Sequence, residues 1–296
     1  MWKRHGRPDC SDGGVDVVKI SGSTKVAAVV GWPIAHSLSP TIHQAGFEST
    51  GVDWTYVALP VPPSSQDRIV SACTALGIAG LSVTMPYKTA VAAQVDEVDD
   101  TCRRLGSVNT VSFDDDRRST GHTTDGDGLV DSLAHDGVDV ADRTILVIGT
   151  GGAGRSVLEA ISRRGPRRLL ASNRSTDRPD LTSVSAIVER VEWADRNEAA
   201  GAADIVINCT SVGMGSDRST PFETSCLGPR HTIVDLVYHP LETRLLGEAA
   251  TKGARSIGGL GMLVHQAALQ QKIWTGHLPD VEVMSRAARS ALVARG

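Results

Sequence analysis

No two cysteines in this chain share a CxxC spacing, and none stands at ligand spacing from a histidine. The five, Cys10, Cys73, Cys102, Cys209 and Cys226, are an odd number scattered widely over 296 residues, which argues against both a disulfide and a zinc framework. His36, His43, His239 and His265 lie in separate segments without an HxxxH-type pair, so no metal site is expected. Long apolar runs are missing as well. Nothing approaches the roughly 20 uninterrupted apolar residues of a membrane span, and the N-terminal MWKRHGRPDCSDGG lacks the apolar core of a signal peptide. A cytoplasmic protein with no membrane partner is expected. An excess of positive charge is also absent: 30 Lys and Arg against 34 Asp and Glu leave a net charge of -4, which gives no overall attraction to nucleic acid. The one basic run, Arg163, Arg164, Arg167 and Arg168, falls at the expected end of a helix, where cations complement the dipole, and reads as a solvated helix end. Internal repeats and low-complexity tracts are not found.

What the chain does have is length and an alternating pattern. At 296 residues, with 41% hydrophobic and 22% charged residues, it suits two domains, each able to bury its own core, with a cleft between them. Residues 1–23 are polar and glycine-rich and read as a flexible leader. From Lys25, short apolar runs alternate with helix-like segments. KVAAVVG, DWTYVALPV, IAGLSVTMP and SVNTVSF read as strands, SPTIHQAGFESTG and Gln66 to Leu76 as helices, and KTAVAAQVDEVDDTCRRLG as one or more helices. A connecting helix is expected from Asp125 to Leu133. The rhythm restarts at TILVIGTGGAGRSVLEAISRRG, with RLLASNR, DIVINCTS and HTIVDLVYH as further buried strands. The expected class is therefore α/β. It consists of a substrate domain over 24–125, a Rossmann-like dinucleotide domain over 126–255, and C-terminal helices over 256–296 that return to the first domain.

GTGGAG carries the GxGxxG spacing through Gly149, Gly151 and Gly154, directly after an apolar strand and before a helix. Glycine is required there because a side chain would block backbone N–H groups from a pyrophosphate that the helix N-terminus then stabilises. Gly149, Thr150, Gly151, Gly152 and Ala153 are the residues that would meet it; the bland alternative is a tight turn with no ligand. At the end of the next strand, where an NAD site usually holds an acid for the ribose 2′-hydroxyl, the chain reads SNRSTDR. Asn173, Arg174, Ser175 and Arg178 offer donors and two positive charges suited to a 2′-phosphate, so NADP is favoured over NAD. Asp177 could instead pair with either arginine in a solvated loop.

Four further segments, GWPIAHSLSP, LSVTMPYK, SVNT and GHTTDG, are rich in polar residues that a plain core element would not need. Together with GTGGAG, SNRSTDR, NCTSVGM, DLVYHPLETRLL and GGLGMLVHQA, in that order, they resemble the shikimate dehydrogenase family from about Lys25 to the C-terminus. The resemblance implies NADPH-dependent reduction of 3-dehydroshikimate to shikimate. It implies that Ser37 and Ser39 bind the substrate carboxylate, although either hydroxyl could simply cap the helix that follows. It makes Lys88 catalytic, with Asp125 facing it and Thr84 and Asn109 touching the substrate. By the same matching, Tyr238 and Gln266 approach the substrate, while Leu236 and Gly259 line the nicotinamide end of the cofactor. Without the resemblance, Lys88 and Gln266 would read as solvated and Asp125 as a turn residue.

Two departures stand out. Where the family commonly has Asn-Thr-Asp-Gly, this chain has Thr123, Thr124, Asp125 and Gly126, and the leader is longer than usual, either disordered or a misassigned start. A paralogue acting on quinate, often with NAD, is the nearest rival; serine at both 37 and 39 and the two arginines argue against it. A nucleotide-binding regulator without chemistry is a second rival, against which stands the retention of both Lys88 and Asp125. The partner expected is a small molecule, and the chain a monomer or homodimer.

Overall fold

The computed structural model describes residues 20–175 and 181–294. Most of the expected leader, 1–19, lies outside them. Its last residues form a turn ahead of the first strand, where Ser23 and Thr24 hydroxyls donate to the Asp53 carboxylate at 3.2 and 2.7 Å.

The first half of the chain runs β1 (Lys25–Gly31), α1 (Ser39–Thr50), β2 (Trp54–Pro60), α2 (Ile69–Ala75), β3 (Gly80–Val83), α3 (Lys88–Ala92), β4 (Glu97–Val98), α4 (Asp100–Leu105), β5 (Thr110–Phe113) and β6 (Ser119–His122). Its six strands lie in the order β2-β1-β3-β5-β6-β4. β1 pairs parallel with β2 and β3, while β5 runs antiparallel to both of its neighbours. Two sequence expectations are refined here. The helix foreseen from Gln66 opens as a 3-10 turn, Pro63–Arg68, and becomes α-helical only at Ile69. The stretch after Lys88 is broken by β4, because short acidic side chains capture backbone groups there. Asp96 accepts from the Ser119 N–H and hydroxyl at 2.8 and 2.7 Å. Asp99 then caps α4 by accepting from the Cys102 N–H at 2.6 Å.

Helix α5 (Asp125–His135) leads to the second half: β7 (Thr144–Ile148), α6 (Gly152–Ser162), β8 (Arg168–Ser172), β9 (Val188–Val191), α7 (Arg196–Ala202), β10 (Ile205–Asn208), β11 (Thr232–Asp235), α8 (Arg244–Thr251) and β12 (Arg255–Gly258). All six strands are parallel, in the order β12-β11-β10-β7-β8-β9. Every residue of β7 (TILVI) and of β10 (IVIN) is buried. Continuous apolar runs are what a parallel strand covered on both faces requires. One face packs on α5 and α6 through Leu129, Leu133, Val157 and Ile161, and the other on α7 and α8 through Ala200, Leu245 and Ala249. The basic run after α6 is paired, Arg163 with Asp127 and Glu159, Arg167 with Asp142, and Arg168 with Glu189.

The last two helices, α9 (Leu260–Thr275) and α10 (Val281–Val293), pack with α1 through Leu38, Ile42, Val264, Ala267, Met284 and Ala288. The Trp274 indole N–H of α9 donates to the Val111 carbonyl of β5 at 3.0 Å. α9 also crosses α5 closely, since a Cβ on Gly128 would lie 2.6 Å from the Gln266 backbone nitrogen. The C-terminal segment thus touches the first sheet and the connecting helix together. Among the described residues no helix is long and apolar enough to cross a membrane.

Candidate active site

Lys88 opens α3 and Asp125 opens α5, and the two side chains meet, Nζ to Oδ2, at 2.5 Å. Both are largely shielded from water, at 19% and 11% side-chain exposure. The other oxygen of Asp125 accepts from the Asn109 amide at 2.8 Å, and the second amide hydrogen of Asn109 goes to the Thr124 hydroxyl at 3.0 Å. Asn109, which the resemblance places against the substrate hydroxyls, gives its N–H groups to the Asp125 turn in this structure. Its Oδ1 accepts from the Thr110 hydroxyl at 2.7 Å and the Thr124 N–H at 2.9 Å, so this buried side chain is fully satisfied.

Around this pair lie the C-terminal ends of the first parallel strands, where ligands of open α/β sheets gather. The chain leaving β3 and the loop after β1 are joined by the Thr84 N–H to Val30 carbonyl bond at 3.0 Å and the Trp32 N–H to Met85 carbonyl bond at 3.1 Å. Thr84 is half-buried there, packed against Gly31, where a Cβ would lie 2.5 Å from its methyl. The same loop carries Ser37 and Ser39 into α1. Leu38, not a serine, holds the N-cap position of α1, without a side-chain cap, and the Ser37 hydroxyl accepts the Ser39 N–H at 3.1 Å.

The second half contributes from the ends of β10 to β12. Buried Asp235 anchors the loop that carries Leu236 and Tyr238, accepting from Asn208 at 2.9 Å, the Val237 N–H at 3.1 Å and the Thr243 hydroxyl at 2.7 Å. Burial pushes its carboxyl above the usual range. Tyr238 is half-buried against the cluster that holds Leu38 and Ile42. Gly259 sits on Leu236, whose carbonyl would be 2.2 Å from a Cβ at that position. Gln266, on α9, is 8% exposed and donates to the Leu263 carbonyl at 2.8 Å. Burial and the nearby Asp235 and Asp125 charges push up the thiol of Cys209, which follows β10.

The glycine-rich turn faces the same place. Gly149 takes φ +95°, and Gly154 packs so closely that a Cβ would lie 2.0 Å from the Gly149 carbonyl oxygen. These two constraints fold the strand sharply into α6. Gly151 is the N-cap of α6, with no side-chain cap and open space where its Cβ would be. A Cβ on Gly152 would sit 3.7 Å from Lys88 Cδ, so the turn and the lysine are neighbours. Ala153 continues the turn half-buried, and the buried Thr150 N–H reaches Asn173 Oδ1 at 3.5 Å. Arg174 and Ser175 follow, exposed, at the end of β8. Arg178 lies outside the described residues.

These features fit a dinucleotide: uncapped helix N–H groups, open space at Gly151, and, among the described residues at the end of β8, Asn173, Arg174 and Ser175 with no acid to repel a 2′-phosphate. Arg155, which sequence reasoning missed, adds to the fit. Its Nε is buried without a hydrogen-bond partner and burial lowers its pKa, so this cation one turn into α6 suits a phosphate better than an apolar core. Ser156 was missed too; it accepts the Gly126 N–H at 2.9 Å and shares a 3.1 Å hydrogen bond with Thr123, tying α5 to α6. Neither residue stands out in sequence, because the GxGxxG spacing ends at Gly154. Among the described residues no group of three or more His, Cys, Asp or Glu side chains could hold a metal ion.

A dinucleotide cradle on one sheet, set against a shielded lysine–aspartate pair carried by the other, defines an NAD(P)-dependent oxidoreductase. Three family models match in chain order: the shikimate dehydrogenase substrate binding domain over 29–111, shikimate/quinate 5-dehydrogenase over 132–218, and the shikimate 5′-dehydrogenase C-terminal domain over 259–289. The NADP(+) shikimate dehydrogenase of Symbiobacterium thermophilum is 41% identical over 92% of this chain and 96% of its own length, and the chain belongs to the shikimate dehydrogenase family. Among solved structures, the shikimate 5-dehydrogenase of Thermus thermophilus with NADP(H) and shikimate is 34% identical at a TM-score of 0.82, covering 90% of this chain and 100% of its own. The quinate dehydrogenase of Corynebacterium glutamicum with NAD is 30% identical at a TM-score of 0.83, covering 90% and 99%.

Proposed function

We propose that this chain is an NADP-dependent shikimate dehydrogenase that reversibly reduces 3-dehydroshikimate to shikimate, a step of chorismate and aromatic amino acid biosynthesis, with Lys88 and Asp125 as its acid–base pair. The observation that carries the reading is the 2.5 Å contact between Lys88 and Asp125 beside the glycine-rich turn. When bound in that cradle, the nicotinamide supplies or accepts the hydride at the ring carbon. Reduction leaves negative charge on the former ketone oxygen, and the Lys88 ammonium, held by Asp125, delivers a proton to it. In the reverse direction the pair takes the hydroxyl proton. Asn109 keeps the carboxylate of Asp125 turned toward the lysine.

Ser37 and Ser39 bind the substrate carboxylate, whose charge does not change during reaction, at the start of a helix that favours an anion. Thr84, Tyr238 and Gln266 enclose the ring. Leu236 and Gly259 border the nicotinamide. Gly149, Thr150, Gly151, Gly152 and Ala153 hold the pyrophosphate, while Asn173, Arg174, Ser175 and Arg178 hold the adenosine end. Charge-assisted bonds from the arginines favour NADP over NAD by about 1 to 3 kcal/mol. The enzyme works in the cytoplasm as a monomer or homodimer.

The test offers shikimate and quinate side by side to purified protein, each with NADP and with NAD. Shikimate with NADP gives the highest kcat/KM. Preference for quinate with NAD would move the chain to the paralogous activity, and no turnover in any arm would refute the enzymatic reading.

A further inference from the structure

We propose that Gln270, acting through Thr110, is a positioning residue for the acid–base pair; this rests on the reading of Lys88 and Asp125 given above. Gln270 has no part in the site described above, and Thr110 enters it only through its hydrogen bond to Asn109. Gln270 lies on α9, 1% exposed, and Thr110 opens β5, fully buried.

The hydrogen bonds from Gln270 to Asp125 run in one direction. At the far end, Gln271 Nε2 donates to the His43 carbonyl at 2.8 Å, which identifies it as the amide nitrogen, and lies 3.2 Å from His43 Nδ1. Nδ1 is therefore the acceptor and Nε2 carries the proton. Burial among uncharged groups keeps His43 neutral, with its pKa lowered to about 3. His43 Nε2 then donates to Gln270 Oε1 at 3.1 Å, and the Ser82 hydroxyl, itself accepting from Tyr56 at 2.6 Å, donates to the same oxygen at 2.7 Å. Two donors on Oε1 fix the amide of Gln270. Its Nε2 donates to the Asn109 carbonyl at 3.2 Å and to the Thr110 hydroxyl oxygen at 3.0 Å. With that lone pair occupied, the Thr110 hydroxyl turns its hydrogen to Asn109 Oδ1 at 2.7 Å. Asn109 must then present its NH2 to Asp125 Oδ1, at 2.8 Å.

Each link removes one alternative. A reversed Gln270 amide would take the Thr110 hydrogen and leave the Thr124 N–H as the one remaining donor of the two that hold Asn109 Oδ1, loosening the orientation that keeps its NH2 on the carboxylate of Asp125. In a buried network such choices are costly to get wrong. The consequence is kinetic, because a small misplacement of a catalytic group lowers the rate without weakening substrate binding in proportion.

The test is a double-mutant cycle on the full chain. Thr110→Val keeps the shape and deletes the hydroxyl. It lowers kcat about tenfold and leaves the shikimate KM within about twofold, while Thr110→Ser restores kcat. Gln270→Met, on a different element, gives the same pattern if either variant folds poorly. In an Asp125→Asn background, Thr110→Val costs less than about a further twofold, since the group it positions is already gone. Wild-type kcat in both Thr110→Val and Gln270→Met, with Asp125→Asn crippled, overturns the proposal alone. So does a full tenfold loss on top of Asp125→Asn, the mark of general structural damage. If Asp125→Asn itself keeps normal turnover, the acid–base reading fails and the proposal with it.

Discussion

At the scale of single residues, the site depends on polar side chains buried where sequence offers little warning. Lys88 and Asp125 were legible only through the segments around them, because a lysine after a strand and an aspartate before a glycine usually face water or form a turn. His43, Gln270 and Gln271 were not legible at all. On a helix such side chains read as solvent-facing, and only their spacing across a chain separation of 227 residues, as in the His43–Gln270 contact, makes them partners. His43 is fully buried, stacked on Tyr56 at a centroid distance of 4.1 Å, and its Nδ1 faces the Gln271 amide nitrogen, so its neutral ring is the form the fold holds. That leads to a pH prediction. Its pKa falls from 6.5 to about 3 on folding, so the stability it supports is complete above pH 6.5 and is lost as pH falls from there toward 3. Between pH 8 and pH 5 the loss from this group is about 2 kcal/mol. Urea unfolding of wild type and His43→Gln at the two pH values checks it: wild type loses more stability than the variant, and equal losses would contradict the neutral assignment.

Among elements, the crossing of α5 and α9 does most to bring the two halves of the site together. α5 places Asp125 at its first position, and α9 brings Gln266 and Gln270 to the same region. Their close approach needs Gly128, where a Cβ would meet the Gln266 backbone nitrogen at 2.6 Å and its Cα at 2.7 Å. Gly128→Ala should therefore destabilise the fold by about 1 to 3 kcal/mol, outweighing the roughly 1 kcal/mol that alanine ordinarily gains over glycine inside a helix. Thermal unfolding reads this as a Tm lowered by several degrees; an unchanged Tm would mean the helices can part at no cost. Most elements were visible in the sequence because their apolar runs are continuous in parallel strands and periodic in helices. β4 was not, since two residues between capping aspartates carry no pattern. The glycine-rich turn was the clearest local signal, because two of its glycines answer steric demands that no other residue meets.

The whole molecule divides the chemistry between two sheets and joins them through α5. Lys88 stands on the first sheet's side of the cleft and the cradle on the second's, and they are close enough that a Cβ on Gly152 would lie 3.7 Å from Lys88 Cδ. The Ser156 hydroxyl, bonded to Thr123 and to the Gly126 N–H, ties the start of α5 to α6 and so links the acid–base pair to the helix after the glycine-rich turn. The two-domain α/β plan was readable from the strand–helix rhythm and its restart at Ile145, whereas the way α9 couples the halves through buried amides emerged only from the fold. In the proposed reaction Lys88 and Asp125 act on charge that develops mainly in the transition state, while Ser37 and Ser39 would hold a carboxylate whose charge is constant. Initial rates of Lys88→Ala at saturating shikimate and NADP test this most directly. The expected result is kcat lowered by about 100-fold to 10,000-fold with little change in KM; near-normal turnover would rule out the acid–base role and leave the pair with a binding role alone.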